Sequence, residues 1–162
     1  THIWNKKAAN FMSWFWNRRF LEGIKKHQDF IGLNFYFAKR FGKKISTVKS
    51  DMGWDIFPEG IYHTLMELKH YGKPVIITEN GIADHADILR GSFIRDSLTF
   101  VKKALNEGVD VKGYFYWSLL DNYEWSFGFT ERFGLVEVDY QTLERVVRPS
   151  ALIYKEIILH GL

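Results

Sequence analysis

Along this chain, stretches with helical apolar spacing alternate with short, almost continuous apolar runs. Between residues 4 and 26, Trp4, Ala8, Phe11, Phe15 and Ile24 recur at roughly helical spacing with charged pairs between them, which predicts a helix. Asp29 to Phe37 is almost wholly apolar, the pattern of a strand covered on both faces. The polar stretch Lys39 to Asp55 predicts a loop. Pro58 then suits a helical first turn, Ile61, Leu65 and Leu68 give one face, and Gly72 ends the element. Val75 to Thr78 is a second buried strand, stopping at Glu79.

After a loop through Asp84 and His85, Ile94, Leu98, Val101 and Leu105 mark a helix closed by Gly108. Val111 to Leu119 predicts a third strand, followed by a long aromatic loop to about Arg132 and a last helix from near Pro149 to about Leu159. Apolar strands alternating with helices predict an α/β fold with a parallel sheet.

Composition narrows the function classes. The 162 residues are 46% hydrophobic and 25% charged, a globular balance with length enough to bury a core. The aromatic share of 17%, with six Trp, eight Tyr and fourteen Phe, exceeds what such a core needs. Some rings are expected on a surface that handles flat apolar faces, such as sugars or bases, although an aromatic-rich core is the plainer alternative. Without cysteine there are no disulfides and no Cys-ligated metal, which fits a reducing compartment, and a cytoplasmic location is expected. The net charge of +3 comes from scattered basic pairs such as Lys6-Lys7 and Lys102-Lys103, so no nucleic-acid partner is expected. No apolar run reaches membrane-spanning length, and no membrane association is expected. The six His residues lack metal-ligand spacing, and no phosphate-cradling Gly loop or Ser-His-Asp pattern appears, so neither metal nor other cofactor is expected.

In parallel barrels the working residues lie at the C-terminal ends of strands and in the loops that follow. Three such ends are legible: Asn34 and Tyr36; Thr78, Glu79 and Asn80; and Trp117 with the loop Asp121 to Phe133. They are expected to converge on one face. Glu79 stands out, a carboxylate held where a strand leaves the core. For an arbitrary glutamate a solvent-facing loop position or a helix cap is commoner, and residues alone leave that open. Asn80-Gly81 predicts a tight turn.

Four segments, in order, resemble the family 1 glycoside hydrolases, the β-glucosidase family. Ile77-Thr78-Glu79-Asn80-Gly81 resembles the family's nucleophile motif, and Asp29 to Tyr36 its sixth barrel strand. Gly53-Trp54-Asp55-Ile56-Phe57-Pro58-Glu59-Gly60 resembles the entry to the next helix. Tyr116-Trp117-Ser118-Leu119-Leu120-Asp121-Asn122-Tyr123-Glu124-Trp125, continuing to Phe133-Gly134-Leu135, resembles the eighth strand and sugar-binding loop. The match spans about residues 29 to 160. It implies that the whole chain, 1–162, is the C-terminal segment, about strands 6 to 8, of a single (β/α)8 TIM barrel whose N-terminal strands are absent from this chain.

The resemblance also implies roles. Glu79 would attack the anomeric carbon, Tyr36 would orient that carboxylate, and Asn34 would help fix the sugar near its 2-hydroxyl. Trp117 would be the platform under the glycone ring, with Glu124 and Trp125 on its outer hydroxyls, Trp54 facing the leaving group and Phe133 walling the pocket. The family's usual Asn-Tyr-Tyr reads Asn34-Phe35-Tyr36 here. A carboxylate at Glu124, where relatives that take phosphorylated sugars carry Ser- and Lys-bearing loops, implies unphosphorylated β-glycosides as small-molecule substrates. Retaining hydrolysis needs a second carboxyl about 5–5.5 Å from the nucleophile. The family's acid/base glutamate lies in an upstream Asn-Glu-Pro motif that this chain lacks, and Asn106-Glu107-Gly108 reads as a helix end.

A complete barrel takes about 250 residues. The first residue is Thr rather than Met, and the expectation is an incomplete chain whose partner is the missing N-terminal barrel segment. The competing readings are a non-catalytic carbohydrate-binding fragment, which would have no need of an oriented Glu79, and a single-strand nucleic-acid binder, which nothing in the motifs requires.

Overall fold

The computed structural model describes residues 2–38 and 46–162. The chain opens with a helical arm: α1 (His2–Ser13), a π-helical turn (Trp14–Arg18) and α2 (Arg19–Ile24). The helical spacing is realised, but Trp4, Phe11 and Phe15 are exposed. There follow β1 (Ile31–Phe35), α3 (Glu59–Leu68), β2 (Val75–Asn80), α4 (Arg90–Asn106), β3 (Val111–Tyr116), β4 (Val136–Val138), β5 (Arg145–Val147) and α5 (Pro149–His160).

The three longer strands form one parallel sheet in the order β1-β2-β3, with α3 and α4 as the crossovers. Ile31, Leu33, Phe35, Val75 and Ile77 from the sheet pack with Ile61, Leu65 and Leu68 of α3 and Val101 and Ala104 of α4. A second cluster, Ile94, Tyr116 and Leu135, seats Ala151, Tyr154 and Ile157 of α5 against α4 and β3. Alternating α and β elements therefore build the expected parallel sheet, and it does not close into a barrel among the described residues.

Several expectations are corrected. β1 is covered on one face only: Ile31, Leu33 and Phe35 are buried while Gly32 and Asn34 are exposed, because helices lie on one side. Phe30 and Phe37, which made the run look doubly covered, lie outside the strand and are exposed. β2 runs two residues further than Thr78, so Glu79 sits inside the ladder rather than beyond it. β3 ends at Tyr116, since Ser118 donates its N–H to the Phe133 carbonyl and accepts from the Leu135 N–H, which draws the chain away from β2. In α4 the inward positions include Phe93 and Ala104, and Leu105 is exposed.

Of the expected loop Lys39 to Asp55, residues 39–45 lie outside the described residues; in the remainder Lys49 bridges Asp55, closing a turn. The β4–β5 hairpin was not foreseen. Helix ends follow their punctuation: Gly72 and Gly108 adopt φ of 60° and 85°, where a side chain would be strained. Glu107 lies at the α4 end, leading into the start of β3, whereas Glu79 lies near the C-terminal end of β2.

Candidate active site

Strict alternation from Val75 and Ile77 would turn Glu79 toward the helix-covered face. Instead the β1–β2 register shifts between Leu33 and Asn34, so that Asn34 lies level with Glu79 and Phe35 with Asn80. Such an irregularity re-aims the side chains that follow it. Glu79 thereby leaves the core side and comes up beside Asn34.

Asn80, fully buried at the end of β2, holds the three strands together. Its Nδ2 donates to the Phe35 carbonyl at 2.6 Å and its Oδ1 accepts from the Tyr114 hydroxyl at 2.7 Å. Asn80-Gly81 is consequently not the predicted tight turn. Gly81 has no positive φ; a Cβ there would lie 1.9 Å from the Trp117 carbonyl oxygen, so glycine is needed for close approach of two backbones.

Tyr36 donates its hydroxyl to Glu79 Oε2 at 2.6 Å, a short charge-assisted bond. Burial, then the bond to Glu79 and that carboxylate's charge, push the Tyr36 hydroxyl far above its usual range, so it stays a proton donor. Trp54 and Phe133 rings meet Tyr36 edge-on, with centroids at 5.8 and 6.0 Å, and Phe37 stacks on Trp54 at 4.7 Å. On β2, the Thr78 hydroxyl donates to Asn34 Oδ1 at 2.6 Å.

Glu124 is buried but not unpaired. Its Oε1 accepts from Trp117 Nε1 at 2.9 Å and from Asn122 Nδ2 at 2.8 Å, which removes the penalty expected for a lone buried charge. Trp125 beside it is 84% exposed and holds a left-handed φ of 48°, unusual for so bulky a residue.

The loop that bears these groups is anchored at its base. Asp121 receives both Arg148 guanidinium nitrogens at 2.9 and 3.0 Å, the Gly134 N–H at 2.9 Å and Arg132 at 3.3 Å. Burial pushes the Asp121 carboxyl up, but the Arg148 and Gly134 bonds and the Arg148 charge outweigh it, and the net direction is down. Fully buried Arg90 ties the Asp84 and Asp87 loop to the Arg132 carbonyl.

All eight residues singled out from the sequence, Asn34, Tyr36, Trp54, Glu79, Trp117, Glu124, Trp125 and Phe133, line a single cavity of about 440 Å³. Met52 and Phe127 complete its wall. Neither carried a sequence signal: Met52 lies in the polar stretch before Asp55, and Phe127 was one ring among many. Two carboxylates, several indoles and an apolar wall suit a ligand with an apolar face and a rim of hydroxyls. Among the described residues no group of three or more His, Asp or Glu could hold a metal ion, and no helix is long and apolar enough to cross a membrane.

The stretch of chain that carries these residues is similar to known proteins. Residues 17–161 match the model of Glycosyl hydrolase family 1. A β-galactosidase of Sulfolobus acidocaldarius is 55% identical over 109 residues, which cover 67% of this chain and 22% of that protein. β-Glucosidase A of Acetivibrio thermocellus is 46% identical over 121 residues, 68% of this chain and 27% of that protein. Among solved structures, a β-glycosidase from Pyrococcus horikoshii superposes with a TM-score of 0.88 at 41% identity, covering 97% of this chain and 47% of that one. The chain thus spans about a fifth to a third of the length of the curated relatives it matches.

Proposed function

Because the chain belongs to glycosyl hydrolase family 1, we propose that it supplies strands 6 to 8 and the nucleophile half of a (β/α)8 retaining β-glycosidase acting on unphosphorylated β-glucosides or β-galactosides. The observation that carries the proposal is the 2.6 Å bond from Tyr36 to Glu79 inside a cavity walled by Trp117, Trp54 and Phe133. A nucleophile gains from a tyrosine that fixes one carboxylate oxygen: with Oε2 held, Oε1 keeps a fixed line of attack.

In this reading Glu79 attacks the anomeric carbon as the glycosidic bond breaks, forming a glycosyl-enzyme ester. The departing oxygen takes a proton from an acid/base carboxyl on the N-terminal part of the barrel. In the second step that carboxylate takes a proton from water, the water oxygen bonds to the anomeric carbon, and Glu79 leaves as carboxylate. Trp117 carries the apolar face of the sugar, and Glu124 receives its outer hydroxyls. Asn34 presents its amide N–H groups, since its Oδ1 is occupied by Thr78. Hydroxyl donors suit Glu124 and phosphate does not, which supports unphosphorylated substrates.

The test is a 2-fluoro-glycoside added to this chain together with the N-terminal barrel segment. The expected result is one added glycosyl mass on the peptide containing Glu79, abolished in Glu79→Gln. Labelling of another residue, or unchanged turnover in Glu79→Gln, would refute the assignment; sugar affinity without turnover would favour a binding fragment.

A further inference from the structure

We propose that Asn122 is a positioning residue that holds one oxygen of Glu124 so that the other is presented to the sugar; the proposal rests on the glycosidase reading above. Asn122 Nδ2 and Trp117 Nε1 donate to the same atom, Glu124 Oε1, at 2.8 and 2.9 Å. Oε2 has no hydrogen-bond partner among the described residues, and Glu124 lines the cavity. A carboxylate with one oxygen doubly engaged cannot turn freely, so its remaining acceptor is set before a ligand arrives.

Asn122 is itself fixed. Ser118 Oγ lies 3.0 Å from Asn122 Oδ1 and 2.7 Å from the Leu120 carbonyl, its one hydrogen shared between them. The second amide hydrogen reaches the Tyr123 carbonyl at 3.3 Å, and the Asn122 carbonyl accepts from the Tyr140 hydroxyl at 3.2 Å. Turning the amide over would set its oxygen against Glu124 Oε1, acceptor on acceptor. Asn122 does not line the cavity, so any effect on a ligand runs through Glu124. Holding the carboxylate in one pose lowers the ordering cost at binding and makes the site sensitive to a single hydroxyl.

The test compares kcat and KM for para-nitrophenyl β-glucoside and its 4-deoxy and 6-deoxy analogues, using the barrel assembled with its N-terminal part. Asn122→Ala is expected to lower kcat/KM for the parent glucoside about tenfold, the scale of one charge-assisted hydrogen bond. The loss should appear mainly in KM. For the analogue lacking the hydroxyl that Glu124 receives, it should nearly vanish. Asn122→Asp keeps the side chain's volume but sets a carboxylate against Oε1. It should show the same selective loss, and it carries the test if thermal melts show that Asn122→Ala does not fold.

An equal loss for all three substrates, or none, would make Asn122 merely structural and overturn the proposal. Glu124→Gln separates the two levels. If it leaves the ratio of parent to deoxy substrates unchanged, Glu124 receives no hydroxyl, and the sugar-binding assignment of Glu124 fails, taking the proposal with it. If it changes that ratio and Asn122→Ala does not, only the Asn122 proposal fails.

Discussion

The Tyr36 hydroxyl donates to Glu79 Oε2 at 2.6 Å between residues 43 positions apart in sequence, Tyr36 lying just past the end of β1 and Glu79 level with Asn34 of that strand. The contact depends on the register shift between Leu33 and Asn34. Without it, Glu79 would point toward α3 and α4 and away from the cavity.

Tyr36→Phe deletes that bond and little else, because the ring still packs against Trp54 and Phe133. In the assembled barrel kcat should fall about 10- to 100-fold, the range of one or two charge-assisted contacts to a reacting carboxylate. KM should change less, and circular dichroism should be unaltered. Wild-type kcat would remove the orienting role.

Gly81→Ala sets a methyl 1.9 Å from the Trp117 carbonyl. The two nearest atoms, the carbonyl oxygen and carbon of Trp117, are backbone, so one strand end must move, at a cost of about 1–3 kcal/mol. The melting temperature should fall, and Trp117 should move away from Glu124, altering tryptophan fluorescence. An unchanged melt and spectrum would show that the two backbones separate at no cost.

Asp121 is held below the ordinary aspartate value of 3.8. A folded pKa below the unfolded one gives stability that is complete above the unfolded value and is lost as pH falls through the folded one. Asp121→Asn should therefore cost about 3–5 kcal/mol at neutral pH, since it leaves the buried Arg148 without its charge partner. Its melting temperature should also fall less steeply than wild type as pH drops below 3.8. Parallel curves would exclude Asp121 as the titrating group.

Glu131 has the opposite sign. Burial first, then the nearby charges of Asp51 and Glu124, raise its carboxyl above the ordinary 4.5, and its Oε2 is buried without a hydrogen-bond partner. Ionisation is then disfavoured in the folded state, so the carboxylate destabilises at pH above the unfolded value and is neutral in effect below it. Glu131→Gln should melt higher than wild type at neutral pH, and the gain should shrink as pH falls toward 4.5 and be gone below it. A gain independent of pH would point to packing instead.

Much was legible in the order of residues. Apolar runs at Ile31, Leu33, Val75 and Ile77 require strands, and the helical spacing of Ile61, Leu65 and Leu68 requires a helix over the same core. Each strand end hands a polar or aromatic group to the same end of a parallel sheet, which marks Asn34, Tyr36, Glu79 and Trp117 by their places in the chain, while the family resemblance picked out Trp54, Glu124, Trp125 and Phe133. Local patterns say little about pairing between distant segments. The aim of Glu79 comes from a register shift, which no period-two pattern records. Asn80-Gly81 looked like a turn because its sequence suits one. Only with β1 and β3 alongside does Asn80 become a clamp between strands and Gly81 a point of backbone contact. The same holds for Met52, which packing sets in one cavity wall with Tyr36 and Glu79. The sequence by itself determined most of the groups that reach the cavity, though not Met52 or Phe127. The tertiary structure decided how they are aimed, because aim depends on hydrogen bonds and close contacts between residues far apart in the chain.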